Sequence, residues 1–169
     1  AEEFVSILGV PKEKVVQLYN PIDTMTIDEK IKEESPFANT VGFKYVAVGR
    51  CAYQKGYDLL LKAFGIALSN KPNSRLFIIG SDVDDEYCKS LHATAKQLKI
   101  EEKVSFVGFS SNPYKYIYNS DCYVLSSRDE GLPNVLIEAT YLNKQSVAYT
   151  CIPMIKEIIQ DGINGLLVQ

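Results

Sequence analysis

Two carboxylates flank a stretch that has the pattern of a helix start. Glu130 precedes the residues Gly-Leu-Pro, and Glu138 follows eight positions after the first acid. Pro133 suits the first position of a helix, because the N–H group that proline lacks would have no intrahelical partner there. The free N–H groups of the first turn and the positive end of the helix dipole favour an anion. We therefore predict a polar pocket between the two acids, with groups suited to holding a nucleotide sugar.

Two cations bracket a second loop. Arg50 and Lys55 lie in the sequence Gly-Arg-Cys-Ala-Tyr-Gln-Lys-Gly, between a predicted strand and a predicted helix. Arginine can bind a phosphate through two N–H groups, while lysine acts as a mobile point charge. The two side chains and the backbone donors of the turn could therefore converge on a diphosphate. The residues alone leave open the alternative that both cations are simply solvated.

The composition is that of one ordinary globular domain. The chain has 169 residues, of which 46% are hydrophobic and 23% charged, which is sufficient for a single core. A net charge of −3 and a pI near 5.3 argue against a nucleic-acid-binding protein, since such proteins are usually basic. No apolar run approaches the roughly 18 residues needed to span a bilayer.

The cysteines do not have the spacing of a metal or redox motif. Cys51, Cys88, Cys122 and Cys151 are far apart and form no Cys-x-x-Cys pair. We interpret them as buried or half-buried thiols. His92 is the single histidine and is predicted to lie on a helix surface, so we expect no metal site. With no visible export signal, a reduced cytoplasm is the expected location.

Short apolar segments alternate with helical patterns along most of the chain. This alternation indicates βαβ units and predicts an α/β fold, a Rossmann-like doubly wound parallel sheet with helices on both faces. Ligands of such sheets bind at the carboxyl ends of the strands, here the loops after residues 48, 80, 107, 126 and 149. The strands are predicted at 43–48, 75–79, 104–107, 122–125, 146–149 and 165–168, and the helices at 56–69, 84–98, 113–119 and 133–142.

The first forty residues are harder to interpret. Residues 14–19 have the pattern of a short strand. Residues 24–40 are polar and rich in Glu and Lys, which suggests a linker or a short exposed helix outside the core. Because both ends of the sequence are abrupt, we expect the chain to be a piece of a longer protein.

The motifs carry a family resemblance. The run from Ser126 to Glu138 resembles the signature of retaining GT-B glycosyltransferases of family 4 (glycosyl transferases group 1). The loop from Gly49 to Gly56 resembles the family motif Gly-Arg-x4-Lys-Gly, and the end of the chain resembles its closing stretch. Residues 42–169 resemble the C-terminal, donor-binding half of the GT-B fold. Residues 1–41 would then be the tail of the N-terminal domain and the interdomain linker.

The resemblance implies roles for particular residues. Glu130, Arg50 and Lys55 would be catalytic, with Glu130 beside the donor sugar and the two cations stabilising the departing nucleoside diphosphate. Glu138 would bind the ribose, and Phe109 would lie near the base, although Phe109 could instead pack into the core behind a glycine turn. The expected donor-binding set is Gly49, Arg50, Lys55, Gly80, Phe109, Glu130, Gly131, Leu132, Asn134, Val135 and Glu138.

This chain also departs from the family pattern in places. Asp82 stands where many relatives have a second glycine, which leaves the approach of that loop to the ligand open. Pro153 and Met154 stand where relatives often have glycine, and they could narrow the pocket beside the donor sugar.

The function implied is retaining transfer of a hexosyl group from a nucleotide-diphospho sugar to a glycan or lipid-linked saccharide, in cell-surface polysaccharide or glycoconjugate synthesis. A UDP-linked donor is favoured over a GDP-linked one, and no cofactor or metal is expected. The acceptor would be held through an N-terminal domain outside this chain, so the chain alone should transfer little. The resemblance also allows peripheral association of the full-length enzyme with the cytoplasmic face of a membrane.

Two other functions remain open. The chain could be a GT-B-like nucleotide-sugar epimerase or a non-catalytic nucleotide-binding module. A receiver domain is disfavoured because the first loop is basic, and a nicotinamide-binding module because Gly-x-Gly-x-x-Gly is absent after the first strand.

Overall fold

Six parallel strands form one sheet in the order β3-β2-β1-β4-β5-β6. The computed structural model describes residues 6–16, 18–81 and 86–169. The strand order reverses between β1 and β4, which is the arrangement of a doubly wound nucleotide-binding sheet. The predicted fold class is confirmed, and four of the six strands have the predicted bounds. The strands are β1 Lys44–Val48, β2 Arg75–Ile79, β3 Val104–Gly108, β4 Cys122–Leu125, β5 Ser146–Tyr149 and β6 Gly165–Val168.

Helices cover both faces of the sheet. Neighbouring residues of β1 point to opposite faces, so that Val46 is buried in one core and Ala47 in the other. The α2 and α3 helices pack against the Ala47 face, and the other helices pack against the Val46 face. This two-sided burial explains why the strands are continuous apolar runs. The helices are α1 Thr24–Lys30, α2 Tyr57–Asn70, α3 Glu86–Gln97, α4 Tyr114–Asn119, α5 Asn134–Tyr141 and α6 Ile155–Ile158.

The N-terminal region differs from the sequence-based expectation. The described part of 14–19 contains no strand, and a three-residue 3-10 turn, Lys12–Lys14, ends at the first residue of this segment. Residues 24–40 contain α1, and the interpretation of this segment as lying outside the core is wrong for two side chains. Ile27 and Phe37 are buried with the core of the Val46 face, and Phe37 packs 4.5 Å from the Phe77 ring between centroids. The sequence did not predict the burial of these two apolar residues, because their neighbours in the chain are polar.

The expectations for the four cysteines and for His92 are confirmed. Cys51, Cys88 and Cys122 are buried, and Cys151 is half-buried. His92 is exposed on α3. The predicted start of that helix at residue 84 lies outside the described residues. Among the helices that the structure describes, none is long and apolar enough to cross a membrane. Among the residues that the structure describes, no cluster of three or more His, Cys, Asp or Glu side chains could hold a metal ion.

Close backbone approach at the ends of β1 and β2 requires glycine. The Gly49 N–H donates to the Ile79 carbonyl at 2.8 Å. A Cβ added to Gly80 would lie 1.8 Å from the carbonyl oxygen of Gly49. No side chain fits in that space without moving the loop that carries Arg50.

We therefore predict that Gly80→Ala lowers the free energy of unfolding by roughly 2 kcal/mol, because the added methyl group clashes with backbone. Urea denaturation of the purified chain measures this loss. Gly131→Ala is the matched control, since a Cβ there meets nothing within 4 Å. Equal stability of the two variants would contradict the close approach.

Candidate functional site

The candidate site lies where the strand order reverses. Doubly wound sheets bind ligands in a crevice at this point of the carboxyl edge, and the loops after β1 and β4 meet here. A cavity of about 210 Å³ occupies the crevice. Its lining combines one cation and one carboxylate with apolar side chains, and consists of Val48, Lys55, Tyr123, Leu125, Glu130, Leu132, Pro133, Asn134, Val135 and Leu136.

A short ion pair lies in the wall of this cavity. The Lys55 Nζ donates to Glu130 Oε1 at 2.7 Å, and the Ser127 hydroxyl donates to the same oxygen at 2.6 Å. The Lys55 side chain is 22% exposed and that of Glu130 only 9%. Two charges so far removed from water stabilise each other, and removal of either leaves the other uncompensated. Both charges were predicted from the sequence, but Ser127 was not. Its place three residues before Glu130 was a signal that could have indicated this contact.

The loop that carries Lys55 packs directly on the loop that carries Glu130. Lys55 ends a 3-10 turn, Tyr53–Lys55, and Gly56 follows in the left-handed region with φ 63°. A Cβ on Gly56 would lie 2.2 Å from the Ser126 carbonyl oxygen. The Ser126 hydroxyl donates to the Lys55 carbonyl at 2.8 Å. Glycine at 56 thus permits both the turn and the contact that aims Lys55 at Glu130.

Gly49 leaves room for the Lys55 side chain. A Cβ at Gly49 would lie 2.9 Å from Lys55 Cε, and the φ of Gly49 is +153°. The Tyr57 hydroxyl donates to the Gly49 carbonyl at 2.9 Å and fixes the end of β1. Burial raises the pKa of Tyr57 well above its usual value, so this hydroxyl remains a donor.

Arg50 is not part of the ion-paired cluster. Its side chain is exposed, and it forms no ion pair with any residue that the structure describes. Of the two cations predicted to meet at the site, only Lys55 is placed against a carboxylate. The difference follows from position in the loop, because Arg50 is the second residue after β1 whereas Lys55 lies at the end of the turn against the second loop.

Glu138 lies further along α5 and is half-buried. The Tyr114 hydroxyl, at the start of α4, makes a long hydrogen bond of 3.4 Å to Glu138 Oε1. Burial raises the pKa of Glu138 above its usual range, and the Tyr114 contact opposes this rise only in part. Tyr114 was not predicted as a site residue, because nothing in the sequence around it links α4 to α5.

The remaining predicted residues are only partly brought together. Leu132, Asn134 and Val135 line the cavity, and Gly131 is exposed beside it. Phe109 is 80% exposed, so the alternative in which it packs into the core is wrong. Pro133 immediately precedes α5 rather than forming its first residue, and its carbonyl accepts from the N–H groups of Leu136 and Ile137. Asp82 lies outside the described residues.

The comparisons with known proteins agree on one family. A family model described as glycosyl transferases group 1 matches residues 28–169. A Campylobacter jejuni protein, N-acetylgalactosamine-N,N'-diacetylbacillosaminyl-diphospho-undecaprenol 4-alpha-N-acetylgalactosaminyltransferase, is 33% identical over 170 residues, covering 99% of this chain and 44% of that protein. The lipopolysaccharide 1,6-galactosyltransferase of Escherichia coli is 27% identical over 165 residues, covering 95% and 44%. The chain therefore spans less than half the length of these relatives.

Solved structures share the fold. The structure of the Anabaena protein HepE in complex with UDP matches with a TM-score of 0.69 and 25% identity, covering 75% of this chain and 35% of that chain. A glycosyltransferase from Rickettsia africae matches with a TM-score of 0.87 and 17% identity, covering 99% and 46%. These matches confirm the predicted Rossmann-like sheet of GT-B glycosyltransferases.

The Lys55–Glu130 pair predicts competition between Glu130 and an entering anion. We expect Glu130→Gln to raise the affinity for inorganic pyrophosphate about tenfold, or about 1.4 kcal/mol, because Lys55 loses its carboxylate partner. Isothermal titration calorimetry at fixed ionic strength measures this affinity. Asp129→Asn is the control for net charge, since Asp129 is an exposed neighbour. Equal affinities of the two variants would contradict the competition.

The half-buried Glu138 carboxylate predicts a pH-dependent stability difference. Because its folded-state pKa is raised, the ionised form costs stability at neutral pH, and the cost disappears as pH falls through that pKa. Glu138→Gln should therefore raise the free energy of unfolding at pH 7, by less than about 1 kcal/mol for a partly solvated group. Urea denaturation from pH 7 to pH 4 measures the difference. A difference that grows towards acid pH would have the wrong sign.

Proposed function

The chain belongs to the glycosyl transferases group 1 family, and we propose that it is the donor-binding domain of a retaining glycosyltransferase of family 4. The proposed reaction transfers a hexosyl group from a nucleotide-diphospho sugar to a glycan or lipid-linked saccharide. The observation that carries the proposal is the Lys55–Glu130 pair at the reversal of strand order. Doubly wound sheets bind nucleotides at this point, and the pair supplies a cation for phosphate and a carboxylate for sugar hydroxyls.

Donor binding would exchange the partners of Lys55. The diphosphate carries more negative charge than Glu130 and would enter beside the N-terminus of α5, where the positive end of the helix dipole favours an anion. Lys55 would move from Glu130 to the diphosphate. Glu130, still held by the Ser127 hydroxyl, would then accept from a hydroxyl of the donor sugar. One carboxylate would thus hold Lys55 in place before binding and orient the sugar afterwards.

The charge that develops on the leaving diphosphate needs cations that are already in place. Lys55 is held by the two packed loops, and the exposed Arg50 would approach from the rim of the same loop. These two side chains would provide the stabilisation, and the proposed mechanism uses no cofactor and no divalent metal. Transfer with retention would occur at the anomeric carbon.

Glu138 would bind the ribose of the donor through its two carboxylate oxygens. Such binding requires the ionised form, and a half-buried carboxylate offers strong hydrogen bonds because few water molecules compete for it. The Tyr114 hydroxyl orients one oxygen. The exposed Phe109, at the end of β3, is proposed to lie near the base.

The relatives support the donor and acceptor classes. HepE was solved with UDP, which favours a UDP-linked donor. The name of the Campylobacter jejuni relative includes a saccharide on diphospho-undecaprenol, which favours a lipid-linked acceptor and cell-surface glycoconjugate synthesis. The acceptor would be held by an N-terminal domain. The full-length enzyme would then act in the cytoplasm, at the inner face of a membrane.

The proposal predicts weak but specific nucleotide binding by this chain. UDP at about ten times its dissociation constant should add about 1.4 kcal/mol to the free energy of unfolding, read as a raised melting temperature and as NMR shifts in the loops after β1 and β4. Lys55→Met and Glu138→Ala should weaken binding, since each removes a proposed ligand contact. Lys62→Met, an exposed lysine on α2, is the charge-matched control. The absence of any response to UDP or GDP at millimolar concentration would sink the proposal.

A further inference from the structure

A second ion pair joins the loop after β4 to the first turn of α2 without lining the cavity. Arg128 lies in the loop after β4, and Asp58 is the second residue of α2. Arg128 donates from Nη1 to Asp58 Oδ1 at 2.8 Å and from Nη2 to Asp58 Oδ2 at 2.7 Å. The arginine side chain is 23% exposed and the aspartate 24%. Two parallel bonds of this kind fix the relative orientation of the groups as well as their distance.

The same guanidinium also contacts the turn that carries Lys55. Arg128 Nη1 donates to the Tyr53 carbonyl at 2.8 Å, and the guanidinium carbon lies 4.0 Å from the centroid of the Tyr53 ring. The Arg128 N–H donates to the Gln54 carbonyl at 2.7 Å, and the Gln54 side-chain amide donates to the Asp129 carbonyl at 3.0 Å. Four contacts therefore join the Tyr53–Lys55 turn to residues 128–129.

Asp58 is itself anchored from a second helix. The Tyr87 hydroxyl, on α3, donates to Asp58 Oδ1 at 2.8 Å. Hydrogen bonds from Arg128 lower the pKa of Asp58 to about 2, with a smaller contribution from Tyr87. The carboxylate therefore stays ionised at any pH at which the protein would be assayed.

These contacts lie next to the two charges of the site in the chain. Lys55 directly follows the residues that Arg128 grips, and Glu130 comes two residues after Arg128. On the basis of the proposed function, we propose that Arg128 and Asp58 are positioning residues that fix Lys55 against Glu130 and thereby set the affinity of the site for the donor diphosphate. Lysine at 128 would keep the charge but lose the forked pairing and the stacking on Tyr53.

The chain contains a matched control at the opposite end of the same two strands. Lys44 begins β1, Asp121 directly precedes β4, and Lys44 Nζ lies 2.8 Å from Asp121 Oδ2. This pair joins the amino ends of β1 and β4, whereas Arg128 and Asp58 join the loops at their carboxyl ends. Lys44→Met therefore removes an ion pair that joins the same two strands, but at the end of the strands that is far from the cavity.

The test compares Arg128→Met, Arg128→Lys and Lys44→Met in the whole chain, with urea denaturation to report stability. Lysines are dimethylated with ¹³C-formaldehyde, and the Lys55 signal, assigned by its loss in Lys55→Met, reports the ion pair without any ligand. UDP titration reports the ligand site. We expect Arg128→Met to move the Lys55 signal towards those of exposed lysines and to weaken UDP binding about tenfold. For Arg128→Lys, we expect a Lys55 signal and an affinity for UDP between those of the parent chain and those of Arg128→Met. Lys44→Met should leave the Lys55 signal unchanged and the affinity for UDP within twofold of that of the parent chain.

Each result decides the proposal. An unchanged Lys55 signal in Arg128→Met overturns the positioning role, as does an affinity for UDP within twofold of the parent. Equal weakening by Lys44→Met also overturns it, because a general loss of stability would then explain the effect. If the parent chain binds no UDP, the proposed function fails, and the Lys55 signal alone still decides whether Arg128 positions the ion pair. Should Arg128→Met not fold, Arg128→Lys and Asp58→Asn provide the same comparison.

Discussion

The ion pair between Lys55 and Glu130 joins two loops that are 75 residues apart in sequence, and both charges are largely withdrawn from water. Such a pair stabilises the site only while its geometry is kept, because a desolvated charge without its partner is costly. The rest of the crevice can be understood as support for this contact. The reversal of strand order places the two loops side by side, and the backbone contacts between them fix the direction of Lys55. An entering diphosphate then finds a cation that the packed loops keep within reach of it, so that less ordering is needed on binding.

Glycines and hydrogen bonds from serine hydroxyls support this contact and occupy little space. Gly56 and Gly80 allow backbone atoms to approach where any side chain would clash, and Ser126 and Ser127 donate from one loop to the other loop and to Glu130. The Arg128–Asp58 pair adds a fixed link from the second loop to α2. These interactions are polar and directional, whereas the two apolar cores on either face of the sheet provide most of the burial. The protein thus uses packing to hold the sheet and hydrogen bonds to aim the site.

The sequence predicted the sheet well because burial on both faces leaves continuous apolar runs that a single sequence displays. It also predicted five loops at one edge of the sheet, since the carboxyl ends of parallel strands share that edge, and two of these loops, after β1 and β4, line the crevice. It did not predict the pairing of Lys55 with Glu130, the role of Ser127 or the contact of Tyr114 with Glu138, because each depends on residues from different loops or helices meeting in space. Arg50 and Lys55 look equivalent in sequence and differ only in where the turn places them. The buried Ile27 and Phe37 were missed because their segment is otherwise polar, and packing outweighed that average.

The central claim is that Lys55 exchanges Glu130 for the diphosphate when a donor nucleotide binds. A crystal structure of the chain with bound UDP tests this most directly, through the distance from Lys55 Nζ to Glu130 Oε1, which is 2.7 Å in the structure described above. We predict that this distance exceeds the roughly 4 Å limit of an ion pair, with Lys55 on a phosphate oxygen and Glu130 still bonded to Ser127. A structure in which UDP occupies the crevice while Lys55 remains bonded to Glu130 and contacts no phosphate would contradict the account.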